Sequence, residues 1–223
     1  MNKGLYILLL FAGMLTVEAC KNNDNVFPNV LPTNLNVVNA SADTLNYYLN
    51  GTRQNNSSSL FPTGQSYYQT VNAGQATYQF KKAGSFSVLF SLPLKLTDSM
   101  NYSLFVCGTS ADKSFLTLDQ LYTDTVTNST QIRFVNASPD AGNLDFYAGD
   151  TINYKSAPFK GTSAFLATGS GMKEVKIYQA GSSTKLVDTL IPFQPGGIYT
   201  LFSKGLLKGT GTAVFDVGLT INH

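Results

Sequence analysis

The chain has 223 residues and a formal net charge of +2, with 43% hydrophobic but only 13% charged residues. That apolar share supports a packed core and argues against disorder, while so small a charge excludes an electrostatic nucleic-acid binder. One His, at the last position, and two Cys leave a His-based triad, a His metal site and a zinc-thiolate cluster without their parts. With 19 Gly, 15 Phe, 12 Tyr, no Trp and two Glu, the composition suits strands and turns better than long surface helices.

The chain opens with Lys3 and an apolar run, Leu5 to Leu15. A bilayer-spanning helix needs about 20 apolar residues, so this shorter run fits the core of a signal peptide instead. Leu15-Thr-Val-Glu-Ala-Cys20 follows and resembles a bacterial lipobox: an aliphatic residue three before the Cys and a small one just before it. Glu18 departs from the pattern, where small residues are usual. The resemblance implies that residues 1–19 are removed and Cys20 is lipidated, which makes the membrane a partner and places the protein on the outer membrane, on its periplasmic or surface face. The plainer alternative is a secretory signal cut after Ala19, with Cys20 free. Residues 20–33, rich in Asn and Pro, read as a tether that reaches about 46–50 Å when extended.

The remainder is one unit written twice. Leu35 to Asp43 aligns with Ile132 to Asp140 at an offset of 97, and Val38, Asn39, Ala40, Ser41 and Asp43 are identical in the second copy. The offset returns at Gly74/Gly171, Ala83-Gly84-Ser85/Ala180-Gly181-Ser182, Tyr102 to Phe105/Tyr199 to Phe202, Gly108/Gly205 and Asp119/Asp216. Copy one is expected over 34–125 and copy two over 131–223, joined by 122–130. Each is a usual size for a β-sandwich. Short period-two runs predict strands at 34–39, 45–49, 66–72, 76–81, 86–90, 102–106 and 115–119. In copy two they fall at 131–136, 144–147, 163–168, 174–179, 186–191, 198–203 and 213–219. Ala-Gly-Ser between two such runs reads as a hairpin turn with Gly at positive φ.

The Asn-Ala-Ser-x-Asp box follows the first strand of each copy. Its side chains suit turn capping, so Asn136 and Asp140 are expected to bond backbone amides in a buried corner. Ile132-Arg-Phe-Val-Asn-Ala-Ser-Pro-Asp-Ala141, followed by Leu144-Asp-Phe-Tyr147, resembles the opening of the bacterial family called domain of unknown function 4397. The resemblance implies an all-β protein with two tandem immunoglobulin-like or prealbumin-like β-sandwiches, and brings no known activity. Copy one departs from the pattern at Ala42, Thr44 and Asn46.

Few residues point to chemistry. Asp140, Asp145 and Asp150 lie close in sequence and suggest a cation site, but match no ligand spacing and read better as turn caps. The acidic residues are numerous enough for a hydrolase's carboxylate pair, but Asp is spread over predicted turns and Glu174 is the only Glu after the signal, which argues against one. Cys107, in a strand-like run, reads as a buried inert thiol. Tyr47, Tyr48, Tyr67, Tyr68, Tyr154 and Tyr178 either cover the sandwiches or, where exposed, stack on sugars or anchor a protein. Five Asp-(Ser/Thr)-apolar triplets, at Asp43, Asp98, Asp124, Asp150 and Asp188, exceed chance and resemble the O-glycosylation acceptor of exported Bacteroidota proteins; a turn-to-strand junction explains them equally. The resulting expectation is a non-enzymatic envelope lipoprotein without metal or cofactor that binds protein or glycan. The alternatives are a structural or assembly component and an unrecognised hydrolase.

Overall fold

The structure, a computed structural model, describes residues 31–55, 58–121 and 129–222. The signal peptide, Cys20, most of the tether and the 122–128 part of the connector lie outside the described residues.

Copy one contains β1 (Pro32–Asn39), β2 (Leu45–Leu49), β3 (Thr52–Arg53), β4 (Gln69–Asn72), β5 (Gly74–Lys82), β6 (Phe90–Leu96), β7 (Asn101–Val106) and β8 (Ser114–Leu118). Copy two contains β9 (Ser129–Asn136), β10 (Leu144–Ala148), β11 (Ile152–Ala157), β12 (Leu166–Gly169), β13 (Gly171–Gln179), β14 (Lys185–Phe193), β15 (Ile198–Lys204) and β16 (Asp216–Ile221). Each copy is a sandwich of two four-stranded sheets. In copy one their orders are β4-β1-β7-β8 and β3-β2-β5-β6; in copy two they are β12-β9-β15-β16 and β11-β10-β13-β14. β1 runs parallel to β7 and β9 parallel to β15, so each first strand inserts beside a late one and closes its sheet.

Alternation builds the cores. β6 buries every second residue from Phe90 to Leu96. Phe80 stacks on Phe90 at 4.8 Å, and in copy two Phe134 stacks on Phe146 at 4.4 Å. Each copy thus encloses its own apolar cluster. Burying each such side chain stabilises by about 1.5–3 kcal/mol.

The first strands break this alternation because both their faces are covered. Val37 enters the core of copy one, whereas Val38 and Ala40 join Phe105, Cys107, Val135, Ala137 and Phe202 in a third cluster drawn from both copies. The two inner sheets therefore pack face to face. A polar seam continues this contact. Arg133 of β9 reaches across to Asp119 just after β8, Nη2 to Oδ1 at 2.5 Å, with both side chains almost fully buried. Arg133 Nε also donates to Thr200 (2.8 Å). Asp119 accepts further bonds from Ser103 (2.6 Å), Thr117 (3.1 Å) and the Tyr68 hydroxyl. Burial, and then the Asp119 charge, push the Tyr68 phenol well above its ordinary pKa.

Several sequence expectations need correction. β1 starts at Pro32, inside the expected tether, because Pro32 and Thr33 pair with β4 and Thr33 Oγ1 bonds the Met100 carbonyl. The strand expected at 86–90 begins at Phe90 instead. Its Pro93 is tolerated because β6 is an edge strand. Two pairing strands fall outside the expected set: β3 is only two residues long, and β11 alternates only over Ile152 to Tyr154 before its bulge. The last strand of copy two lies at 216–221 rather than 213–219, after a loop that includes a 3₁₀ turn at Gly211–Ala213. Register consequently matches Asp119 to Asn222, not Asp216: Tyr102 pairs Leu118 as Tyr199 pairs Ile221.

Candidate functional site

The box asparagines are scaffold. Asn136 is fully buried. Its amide donates to the carbonyls of Gly142 and Ala157, each at 2.9 Å, and its carbonyl accepts from Ser138 N (3.2 Å) and Ser203 Oγ (2.9 Å). Asn39 does the same work in copy one, donating to Asp43 O and Leu60 O and accepting from Ser41. The box aspartates differ from the expectation. Asp140 is exposed and caps the remote Leu207 N–H (3.1 and 3.2 Å), because the long loop before β16 folds back over it. Asp43 pairs with Lys82 at 2.9 Å.

The other carboxylates separate. Asp145 accepts from Ser156 N (2.7 Å), where β11 bulges. Asp150 stands exposed beside a polar cleft of about 300 Å³ on the outer sheet of copy two, with Tyr147, Glu174, Lys176 and Tyr178. Among the described residues no three His, Cys, Asp or Glu gather as a metal site. Cys107 is buried, and desolvation pushes its thiol pKa far up, as an inert thiol requires. It adjoins an apolar cleft of about 290 Å³ where Ala40, Ser41 and Ala42 of one box face Pro139 of the other. Of the triplets, Ser99 and Thr151 are exposed, Thr44 and Thr189 half-buried, and Asp124 lies outside the described residues.

Most of the tyrosines cover the fold. Tyr47 is buried against Phe80. Tyr48 lies under the Lys81 ammonium, 4.6 Å from its ring. Tyr154 packs on the copy-two core, and Tyr178 meets Tyr147 edge-on at 5.8 Å. Tyr67 and Tyr68 lie in the loop before β4 rather than in the strand expected at 66–72, yet they still part: Tyr68 enters the seam, and Tyr67 stays 62% exposed.

Tyr67 lines a groove of about 370 Å³ that neither copy makes alone. One wall is the 58–67 loop of copy one, with Phe61 63% exposed; the other is Leu219 and Ile221 on β16 of copy two. Gln65 sits between them. Its Oε1 accepts from Asn36 Nδ2 (2.9 Å) and from Thr220 Oγ1, one donor from each copy. The same loop in copy two has an equivalent framework. Asn39 N bonds Gly64 O as Asn136 N bonds Gly161 O, and Ser66 caps Val37 N as Ser163 caps Phe134 N. On that common frame Phe61 corresponds to Pro158, Gln65 to Thr162 and Tyr67 to Ala164. Tyr67 alone of the last pair is left-handed, at φ +56°. Phe61 was missed from sequence; reading where the repeats differ, rather than where they agree, is the signal that finds it. The same comparison marks Phe86, 98% exposed at the β5–β6 tip, where copy two has Ser183.

The family model described as domain of unknown function DUF4397 matches residues 33–147 and 130–218. No curated protein matches the chain significantly. Among solved structures, the chain is similar over 81% of its length to the Bacillus anthracis TIE protein, at 10% identity and a TM-score of 0.25. It spans only 34% of that chain. A family 26 carbohydrate-binding module from Eubacterium rectale, in complex with maltoheptaose, is similar over 85% of this chain and 96% of its own, at 11% identity and a TM-score of 0.25.

Proposed function

The chain belongs to the DUF4397 family, and we propose that it works as a non-enzymatic binding or adhesion module of the bacterial envelope. In this reading lipid on Cys20 holds it at the outer membrane, and the folded body recognises a protein or a glycan. The observation that supports recognition is the exposed pair Phe61 and Tyr67 on a groove shared by both copies. Exposed rings gain nothing for the core, and a bulky residue at positive φ carries backbone strain. The fold does not require either, since copy two builds the same loop with Pro158 and Ala164. The packed inner sheets hold the two walls of the groove in register, which reduces the ordering cost of binding.

A structural role is the second reading, and the extensive packing between the sandwiches favours it. Capture experiments with the intact, membrane-anchored chain separate the two. Recognition predicts a captured partner that Phe61→Ala/Tyr67→Ala loses while the fold stays intact. A structural component predicts either no specific capture or capture indifferent to that double variant. The anchor has its own test: Cys20→Ser should release the protein from the membrane fraction and abolish labelling by a fatty-acid analogue.

A further inference from the structure

We infer that the Phe61–Tyr67 groove takes a neutral carbohydrate chain; this deepens the binding reading above and rests on it. The lining chemistry selects the ligand. Among the described residues no charged side chain lines the groove. Arg53 stands behind it, reaching Ser59 Oγ at 3.4 Å. An acidic or phosphorylated ligand would meet no charged group on the lining itself to repay its desolvation. A wholly apolar ligand would strip water from Ser58, Ser59, Thr63 and Gln65 without replacing their hydrogen bonds. A pyranose meets both demands. Its C–H face carries slight positive charge and suits the negative face of an aromatic ring. Its hydroxyls both donate and accept toward a rim of hydroxyls and an amide. The volume of about 370 Å³ falls at the small end of the roughly 300–1,000 Å³ usual for such sites.

Gln65 adds a directed donor. Both bonds to its side chain, from Asn36 and Thr220, end on Oε1, and its Nε2 makes no hydrogen bond to the described residues. The amide is thus clamped by both copies with its N–H₂ end unspent beside the two rings. Tyr67 adds a directed platform. Ser66 Oγ bonds its carbonyl (2.9 Å), as Ser163 Oγ bonds that of Ala164, yet only Tyr67 takes the left-handed conformation. Strain kept at one exposed aromatic, and absent from its repeat, marks the ring's direction as the selected property.

The test is affinity electrophoresis of the full chain carrying Cys20→Ser, through gels containing a neutral glucan, xylan or mannan, with polygalacturonate as the anionic comparison. At least one neutral polysaccharide should retard the protein. Tyr67→Ala and Phe61→Ala should each weaken that binding about tenfold or more. Gln65→Glu, which keeps the Oε1 acceptor and removes the donor, should weaken it severalfold. Tyr67→Gly trades the relieved strain against glycine's larger entropy loss, so it should leave the melting temperature nearly unchanged while losing retardation; a purely structural tyrosine would lower the melting temperature and leave retardation in place. Retardation by polygalacturonate alone, or retardation untouched by these variants, overturns the inference. If no polysaccharide retards the chain while capture still recovers a protein through Phe61 and Tyr67, the carbohydrate inference fails and the binding reading stands. If neither experiment depends on the groove, both fail.

Discussion

Replacing Asp119 with Ala attacks the joint between the copies at its most exposed energetic point. The carboxylate accepts from Arg133, Thr117, Ser103 and Tyr68, and the pair is almost fully buried: Arg133 and Asp119 side chains are 2% and 0% exposed. Removing it strands a buried guanidinium, which costs about 3–5 kcal/mol. At roughly 2–4 °C per kcal/mol for a chain of 150–250 residues, the melting temperature should fall by some 6–20 °C. The pair itself need not be strongly stabilising, because desolvating two ions offsets most of their attraction. The double variant Asp119→Asn/Arg133→Met removes both charges, leaves a carbonyl acceptor for the Ser103, Thr117 and Tyr68 hydroxyls, and should therefore recover most of that loss. Urea unfolding followed by circular dichroism measures both. A loss below about 1 kcal/mol in Asp119→Ala would mean that Arg133 finds water when its partner is gone, and a double variant as unstable as the single one would mean that the stranded guanidinium is not what the single variant costs; either would refute the reasoning.

Asn136→Ala removes four buried bonds and should cost upwards of about 2 kcal/mol, whereas Asp140→Ala, which loses one exposed cap, should cost no more than about 1 kcal/mol; chemical denaturation of the two variants side by side decides it. Phe146→Ala, which empties the ring stacked on Phe134, should cost about 3–5 kcal/mol by the same measurement. The Tyr68 phenol is held protonated by burial and the neighbouring carboxylate, while the unfolded chain releases that proton near pH 10. Its contribution is therefore complete below about pH 10 and is lost as pH rises beyond it. A melting-temperature profile from pH 8 to 12 should fall on its alkaline side, and Tyr68→Phe should flatten that fall.

The fold was legible because its signals are local. Period two in β5 and β14, Gly84 and Gly181 at positive φ in the hairpins, and the repeated Asn-Ala-Ser-x-Asp box each report on neighbours a few residues away. The face-to-face packing was not legible in that way. Burial of both faces erases alternation, so β9 reads as buried throughout, with Arg133 among its apolar neighbours. A charged residue in such a strand signals an outward face, and only copy one, through Asp119, supplies the carboxylate that overrides it. The groove was hidden for a related reason: its walls stand about 155 positions apart in sequence, as the bond from Thr220 to Gln65 records. Tyr67 was named among the tyrosines, but nothing in one strand distinguishes a ring that covers a core from one that faces solvent.

Duplication supplies an internal control that a single domain lacks. Where both copies keep a residue, the fold explains it: Asn39 and Asn136 bracket the corner, and Ser66 and Ser163 pin the loop by the same two bonds. Where the copies diverge inside the shared interface, packing explains the change. Asn36 stands at the position of Arg133 and Asn222 at that of Asp119, so one ion pair replaces what symmetry would otherwise repeat, and only one arrangement of the two sandwiches satisfies it. Divergence at an exposed position has neither explanation. Phe61 against Pro158 and Tyr67 against Ala164 leave the backbone frame intact, add apolar surface to solvent and place strain at one ring. Stability alone gives no reason to keep either ring there. Their position on the wall that copy one contributes to a shared groove ties the two divergences together: an asymmetric interface fixes one arrangement of the copies, and that arrangement sets the rings of copy one against β16 of copy two.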